Sequence, residues 1–100
     1  MVSNMKSEGG IDSKIKKYFS LTEEALKKVK IAKKLSKKDY KIAEDYLRLS
    51  KSYYEDAKFF NKKKDRLNAF AALCYAHAFL DAGAISGVFD VKDNKLFMVD

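Results

Sequence analysis

The chain of 100 residues has no proline, only four glycines and a single cysteine. Because proline removes a backbone hydrogen bond and glycine costs backbone entropy, their scarcity favours long, uninterrupted helices. The lone Cys74 cannot form an intrachain disulfide, which excludes the disulfide-stapled secreted mini-domains and makes a reducing cytoplasm the expected location. The N-terminus lacks the apolar stretch of a signal peptide, so residues 1–10 are predicted to be a disordered polar leader.

What the chain does contain is a globular mixture of apolar and charged residues. Hydrophobic residues make up 47% of the chain and aromatic residues 13%, whereas a disordered chain would have few of either. A length of 100 residues suits one domain with one core. The net charge of +7 is uneven, since the chain up to Arg66 carries 19 basic and 10 acidic residues. Such a field either attracts polyanions or keeps the surface solvated.

Apolar residues recur at alternating spacings of four and three through the first 61 residues. This spacing keeps one face of a helix apolar, and it predicts a first helix over residues 11–35 and a second over residues 39–61. A short connection between long helices favours antiparallel neighbours, and a heptad-like seam favours left-handed packing. The two seams comprise Ile11, Ile15, Tyr18, Thr22, Ala25, Val29 and Ala32, and then Ile42, Tyr46, Leu49, Tyr53 and Phe60.

A third helix is predicted over residues 66–86. Asp65 lies where an N-cap is needed, and Gly87 suits a left-handed C-cap. Residues 88–100 then form a tail in which two apolar runs flank a polar turn, the pattern of a β-hairpin. The sequence therefore predicts an all-α fold, an antiparallel three-helix up-and-down bundle over residues 11–87 with left-handed packing and a short C-terminal tail or β-hairpin.

The third helix differs from the first two because it has no polar face. Between Ala69 and Leu80 every residue except His77 is apolar. Its alanine content and the interruptions by Asn68, His77 and Asp81 argue against a membrane span. Each helix of a three-helix bundle has only two neighbours, so we expect the tail or a second subunit to cover the surplus apolar surface. The residues expected at such an interaction surface are Tyr75, Phe79, Gly83, Phe89 and Phe97.

Cys74, His77 and Asp81 lie on one face of this helix, at spacings of three and four residues. They could be three metal ligands, or a nucleophile with its base. A zinc site needs a further ligand or a well-supported open position, and the chain has no other histidine or cysteine. A nucleophile usually meets a base from another element. We therefore predict no metal, no cofactor and no enzyme activity; His77 and Asp81 are either a functional pair or a buried polar pair beside a core cysteine.

The densest basic run lies in residues 27–41, where eight lysines are opposed by Asp39 alone. Such a face could bind nucleic acid weakly through phosphate contacts. However, only two of the 21 basic residues are arginine, which is the residue suited to base readout and bidentate phosphate contacts. A solvated face is therefore expected, and the alternative is nucleic-acid binding through Lys27, Lys30, Lys34, Lys37, Lys38 and Lys41.

Four segments carry a resemblance to a known family. They are residues 43–47 (AEDYL), residues 53–57 (YYEDA), residues 69–73 (AFAAL) and residues 75–83 (YAHAFLDAG). They resemble an uncharacterised archaeal family, the domain-of-unknown-function family 357, over about residues 17–89. The resemblance implies an antiparallel three-helix bundle from an archaeal cytoplasm, and it implies no activity.

The apolar third helix and the hydrophobic tail give the leading functional hypothesis. They favour a protein–protein interaction or self-association module, whose partner is another protein or a second copy of the chain. Weak nucleic-acid binding by the basic face is the alternative, and no membrane partner is expected.

Overall fold

The computed structural model of the chain describes residues 9–92 and 96–97. Residues 1–8 of the predicted leader lie outside this part of the chain, as do residues 93–95 and 98–100 of the predicted hairpin. Within the described residues the fold is all-α, as the sequence predicts, and has no strand. It consists of the helices α1 (Gly9–Lys28), α2 (Lys37–Lys62) and α3 (Arg66–Ser86).

The ends of α2 and α3 are set by local capping. The side chain of Asp65 accepts a hydrogen bond from the first turn of α3, and Gly87 ends that helix in the left-handed region at φ 83°. These are the two caps that the sequence predicts. The hydroxyl of Ser36 accepts a hydrogen bond from the backbone N–H of Asp39 over 3.0 Å, so α2 begins two residues earlier than predicted.

The first helix, α1, ends at Lys28, well before the predicted end at residue 35. The chain leaves the helix because Ile31 forms an isolated antiparallel bridge with Phe89, which gives the backbone a distant partner in place of a helical one. The side chain of Ile31 still packs against the core, so the apolar repeat continues although the helix does not. Two backbone hydrogen bonds flank the bridge: Ala32 N donates to Val88 O over 2.9 Å, and Asp90 N donates to Lys30 O over 2.7 Å.

The central helix is α3. It packs most extensively on α2 and also on α1, whereas α1 and α2 barely touch each other. Each helix therefore contacts both others, as expected of three helices, but α3 is the one that packs extensively on its neighbours. Most of the buried hydrophobic residues form two clusters, one of Ile15, Ala57, Ala72 and Leu73 and one of Ala25, Ala43, Leu80, Val88, Phe89, Leu96 and Phe97.

The C-terminal tail covers one end of α3. Phe89 and Phe97 are buried there beside Leu80, and the ring of Phe89 lies on Gly83, where the absence of a side chain leaves room for it. This corrects the prediction that Gly83 and Phe89 belong to an interaction surface, whereas Phe97 is buried but also lines a groove beside the helix. Gly83 and Phe89 are instead the contact through which the chain covers part of its own apolar helix.

By length and composition alone, α3 is apolar enough to cross a membrane. The interruptions at His77 and Asp81 therefore do not by themselves exclude a membrane span. The core helix of a soluble protein meets the same criteria; α3 packs on both α1 and α2, and 33% of its apolar window is buried.

Candidate functional site

A line of apolar side chains on α3 faces solvent. The side chain of Leu67 is 80% exposed and that of Ile85 is 66% exposed, and Cys74 and Ala78 between them are also exposed. Spacings of seven, four and seven residues place all four on one side of the helix. We call Leu67, Cys74, Ala78 and Ile85 the exposed strip of α3. Among the residues that the structure describes, neither the other helices nor the tail covers it.

An apolar groove runs beside the exposed strip, between α1 and α3. Tyr18 and Leu21 form its α1 wall, and the tail closes one side with Leu96 and Phe97. Its volume is about 460 Å³, within the range of pockets that hold ligands or large side chains. We call this the α1/α3 groove; α3 lines it with Phe70, Leu73, Cys74, His77, Ala78 and Asp81.

Among the titratable side chains that line the groove is His77, whose pKa is shifted by its surroundings. Burial lowers the pKa of its imidazole below the ordinary value of 6.5, while the negative charge of Asp81 opposes this effect. The imidazole is therefore neutral at pH 7. Its Nε2 is buried and has no hydrogen-bond partner among the described residues, so this atom is out of reach of a substrate in solution.

Cys74 is exposed, which corrects the interpretation that it is a small core residue. The structure does bring Cys74, His77 and Asp81 to one place, since all three line the α1/α3 groove. In the described part of the chain, no group of three or more histidine, cysteine, aspartate or glutamate side chains could hold a metal ion. The arrangement therefore offers an apolar groove with a polar edge.

Aromatic rings join α2 to the other edge of the exposed strip. The ring of Tyr53 stacks on Tyr75 at 5.2 Å and on Phe79 at 6.0 Å between centroids, and Tyr46 contacts Phe79 at 5.9 Å. Phe79 is half-buried by these contacts, whereas Tyr75 remains 57% exposed. Of the five residues predicted at an interaction surface, Tyr75 is the one that lies in the open.

The predicted basic face lies at the end of α1, in the linker and at the start of α2. A smaller depression of about 300 Å³, which we call the lysine depression, borders the α1/α3 groove and shares Phe97 with it. Lys28, Lys30 and Lys92 line it together with Asp90 and Val91. All six lysines proposed for nucleic-acid binding are exposed, and Lys41 forms an ion pair with Asp45 at 2.8 Å.

The sequence does not indicate that Leu67 and Ile85 are surface residues. Leu67 lies seven residues before Cys74 and Ile85 seven residues after Ala78, so the sequence does place the four residues on one side of the helix. A helix that is apolar all round, however, has no polar face to show which side is buried. The α1/α3 groove was missed because its walls come from α1, α3 and the tail, which only the tertiary structure brings together.

These features define a small all-α protein whose central helix carries an apolar groove and an exposed apolar strip. The chain belongs to the family described as "Protein of unknown function (DUF357)", whose sequence model matches residues 17–89. This confirms the family predicted from the sequence. The match extends from within α1, through the whole of α2 and α3, to Phe89 in the bridge with the linker. No curated protein and no solved structure matches the chain.

Proposed function

We propose that this protein is a protein-interaction module that docks a partner on the exposed strip of α3. One observation carries the proposal: the most apolar helix, which forms the centre of the fold, leaves Leu67 and Ile85 largely exposed at opposite ends of one face. Burial of such a side chain stabilises a complex by about 1.5–3 kcal/mol. A contiguous apolar face that the chain leaves uncovered is typical of an interaction site.

The polar residues beside the strip support a binding role over a catalytic one. The Nε2 atom of His77 is buried, which argues against its acting as a general base toward a substrate in the groove. Because its pKa is lowered, the imidazole adds no charge to the apolar wall near neutral pH. We therefore propose that His77 shapes the groove and that the protein is not an enzyme.

We also propose that the three helices run up and down with left-handed packing. Pairings along the helices support this direction, since Tyr46 contacts Phe79 while the later Tyr53 contacts the earlier Tyr75. In α1, Asp12 pairs with Arg66, and Tyr18 contacts Phe70 at 5.4 Å, which is the order expected of two parallel helices. The four-and-three spacing of the seams supports the hand of the packing.

The test compares the wild-type protein with the double variant Leu67→Lys/Ile85→Lys. Light scattering over a concentration series measures self-association, and affinity purification from native cell extract with quantitative mass spectrometry measures the capture of partners. We expect a second copy or a specific protein to bind the wild type, and the double variant to bind it at least about ten-fold more weakly because two apolar contacts are lost.

The double variant Tyr40→Lys/Phe59→Lys is the matched control, since both side chains are large and hydrophobic, 48% and 56% exposed, and lie on α2, outside the strip. It should bind as the wild type does. The proposal is overturned if the wild type stays monomeric at every concentration and retains the same proteins as the double variant.

A second candidate function is weak nucleic-acid binding by the basic face. The exposure of all six lysines favours it, since each is accessible to phosphate. We expect an affinity that falls linearly with the logarithm of salt concentration, with a slope that reports the number of phosphate contacts. Filter binding or fluorescence anisotropy with a random duplex and a random single strand measures this, and an absence of binding at low salt rejects it.

A further inference from the structure

The α1/α3 groove and the exposed strip form one continuous apolar surface, because Cys74 and Ala78 belong to both. The groove has the aromatic rings of Tyr18, Phe70 and Phe97 along its walls. A volume of about 460 Å³ accommodates a large apolar side chain from a partner. Protein interfaces draw most of their affinity from a few such anchors seated in pockets.

One end of this apolar surface is basic. Phe97 lies between the α1/α3 groove and the lysine depression and lines both. Among the described residues that line the depression, Lys28, Lys30 and Lys92 are basic and Asp90 is acidic. A partner that fills the groove therefore has a positively charged neighbour on the tail side. Complementary carboxylates at that end would steer the partner and fix its direction.

The exposed strip has the dimensions of a helix-docking surface. From Leu67 to Ile85 it extends roughly 27 Å at the helical rise of 1.5 Å per residue. Its spacings of seven, four and seven residues match those of an apolar helix face laid alongside it. The small side chains of Cys74 and Ala78 lie at its middle, where a second helix approaches most closely.

We propose that the partner segment is an amphipathic helix with a large apolar anchor for the α1/α3 groove and acidic residues at the end that reaches the lysine depression. This inference rests on the proposed interaction function and adds the chemistry of the partner. Helix-in-groove recognition reads a partner through apolar side chains at helical spacing, which is the pattern the strip presents.

A second copy of the chain is a poorer occupant than an acidic helix. The chain carries a net charge of +7, so two copies repel each other at close approach. Helix α3 contains one acidic residue, Asp81, and this residue lines the α1/α3 groove of its own chain. A second α3 therefore has no acidic cluster to place opposite Lys30 and Lys92.

The test uses designed helical peptides of about 18 residues, the length that matches the strip. Each has leucines at every third and fourth position and one central tryptophan. The first carries three glutamates at one end, the second three glutamines and the third three lysines. Fluorescence anisotropy of the labelled peptides is measured against the full chain at low and at high salt. Vesicles of anionic phospholipid and dodecanoate serve as non-peptide probes.

We expect the glutamate peptide to bind about ten-fold more tightly than the glutamine peptide at low salt, and the difference to shrink at high salt. The double variant Lys30→Glu/Lys92→Glu should abolish this preference and improve binding of the lysine peptide. The double variant Lys51→Glu/Lys62→Glu makes the same change of charge at two exposed sites on α2 and should leave the preference intact. In a heteronuclear NMR spectrum, the shifts should be centred on Ala78 and Phe97.

The outcomes separate this inference from the proposed function. Equal binding of the glutamate and glutamine peptides overturns the acidic partner. Failure of every peptide, with the vesicles or dodecanoate bound instead, overturns the helix and makes the groove an amphiphile site. In either case the proposed function stands if Leu67→Lys/Ile85→Lys still loses a protein that the wild type captures. If that variant loses nothing, the function fails as well.

Discussion

The ring of Phe89 lies so close over Gly83 that a Cβ atom at residue 83 would be 2.8 Å from the ring carbon Cγ. Gly83 is helical, so its role is to provide space and not an unusual backbone angle. The contact holds the C-terminal tail on α3 and covers a part of the helix that would otherwise be exposed to solvent.

Gly83→Ala should lower the free energy of unfolding by about 1–3 kcal/mol, because the new methyl group forces the Phe89 ring out of its place. The gain in helix propensity, about 1 kcal/mol at most, offsets only part of this loss. Urea denaturation measures the change. In the Phe89→Ala background the same substitution should be neutral or stabilising, and an equal loss in both backgrounds would show that the ring is not the cause.

Stability should depend on pH through His77, the chain's one histidine. Because burial lowers its pKa in the folded state, the unfolded chain takes up a proton first as the pH falls through the ordinary value of 6.5. Stability is therefore complete above that value, decreases below it, and levels off beneath the folded-state pKa. The other titratable side chains that line the α1/α3 groove are those of Tyr18, Cys74 and Asp81.

The measurement is the urea midpoint of the wild type and of His77→Gln from about pH 7.5 down to about pH 5. The variant should lose the decrease that begins near 6.5, while the acid limb that comes from carboxylates stays the same in both. Parallel curves over the whole range would contradict the assignment.

Asp65→Ala should destabilise the fold by about 1 kcal/mol, since it removes the N-cap of α3. Asp65 accepts a hydrogen bond from the backbone N–H of Asn68 over 3.2 Å and another from its side-chain amide over 2.7 Å. Asp65→Asn keeps the capping oxygen and should cost much less. Thermal unfolding followed by circular dichroism measures both variants, and a similar loss for the two would point to charge in place of capping.

Leu67 and Leu80 lie on the same helix, but their truncation to alanine should change the stability of the fold to very different extents. Leu80 is fully buried, so Leu80→Ala should cost about 2–5 kcal/mol. Leu67 is largely exposed, and Leu67→Ala should change stability by no more than about 0.5 kcal/mol. Chemical denaturation of the two variants checks this pair, and a large loss at Leu67 would mean that the exposed strip is needed for folding and not for docking.

The sequence predicts those parts of the fold that are determined locally. The bounds of α3 follow from Asp65, from Gly87 and from the continuous apolar run between them, because caps act within one turn. The early end of α1 could not be predicted in this way. Its cause is Phe89, a residue far along the chain, which pairs with Ile31 and competes with helical bonding there.

The site was less predictable than the fold. The spacing of Cys74, His77 and Asp81 does place them together, and they do share the groove. Whether Cys74 faces the core or solvent depends on which sides of α3 are taken by α1, α2 and the tail, and a helix without a polar face does not encode this choice. Exposure of Leu67 and Ile85 is hidden from the sequence for the same reason.

The bridge between Ile31 and Phe89 also has a consequence for the order in which the chain folds. Contacts between α2 and α3 are close in sequence, so they close short loops and form early at little entropic cost. The bridge joins the linker before α2 to the tail after α3, so it closes a loop around that whole helical pair. We expect α1 and the tail to dock late and together, which makes them the first parts of the molecule to open in native-state hydrogen exchange.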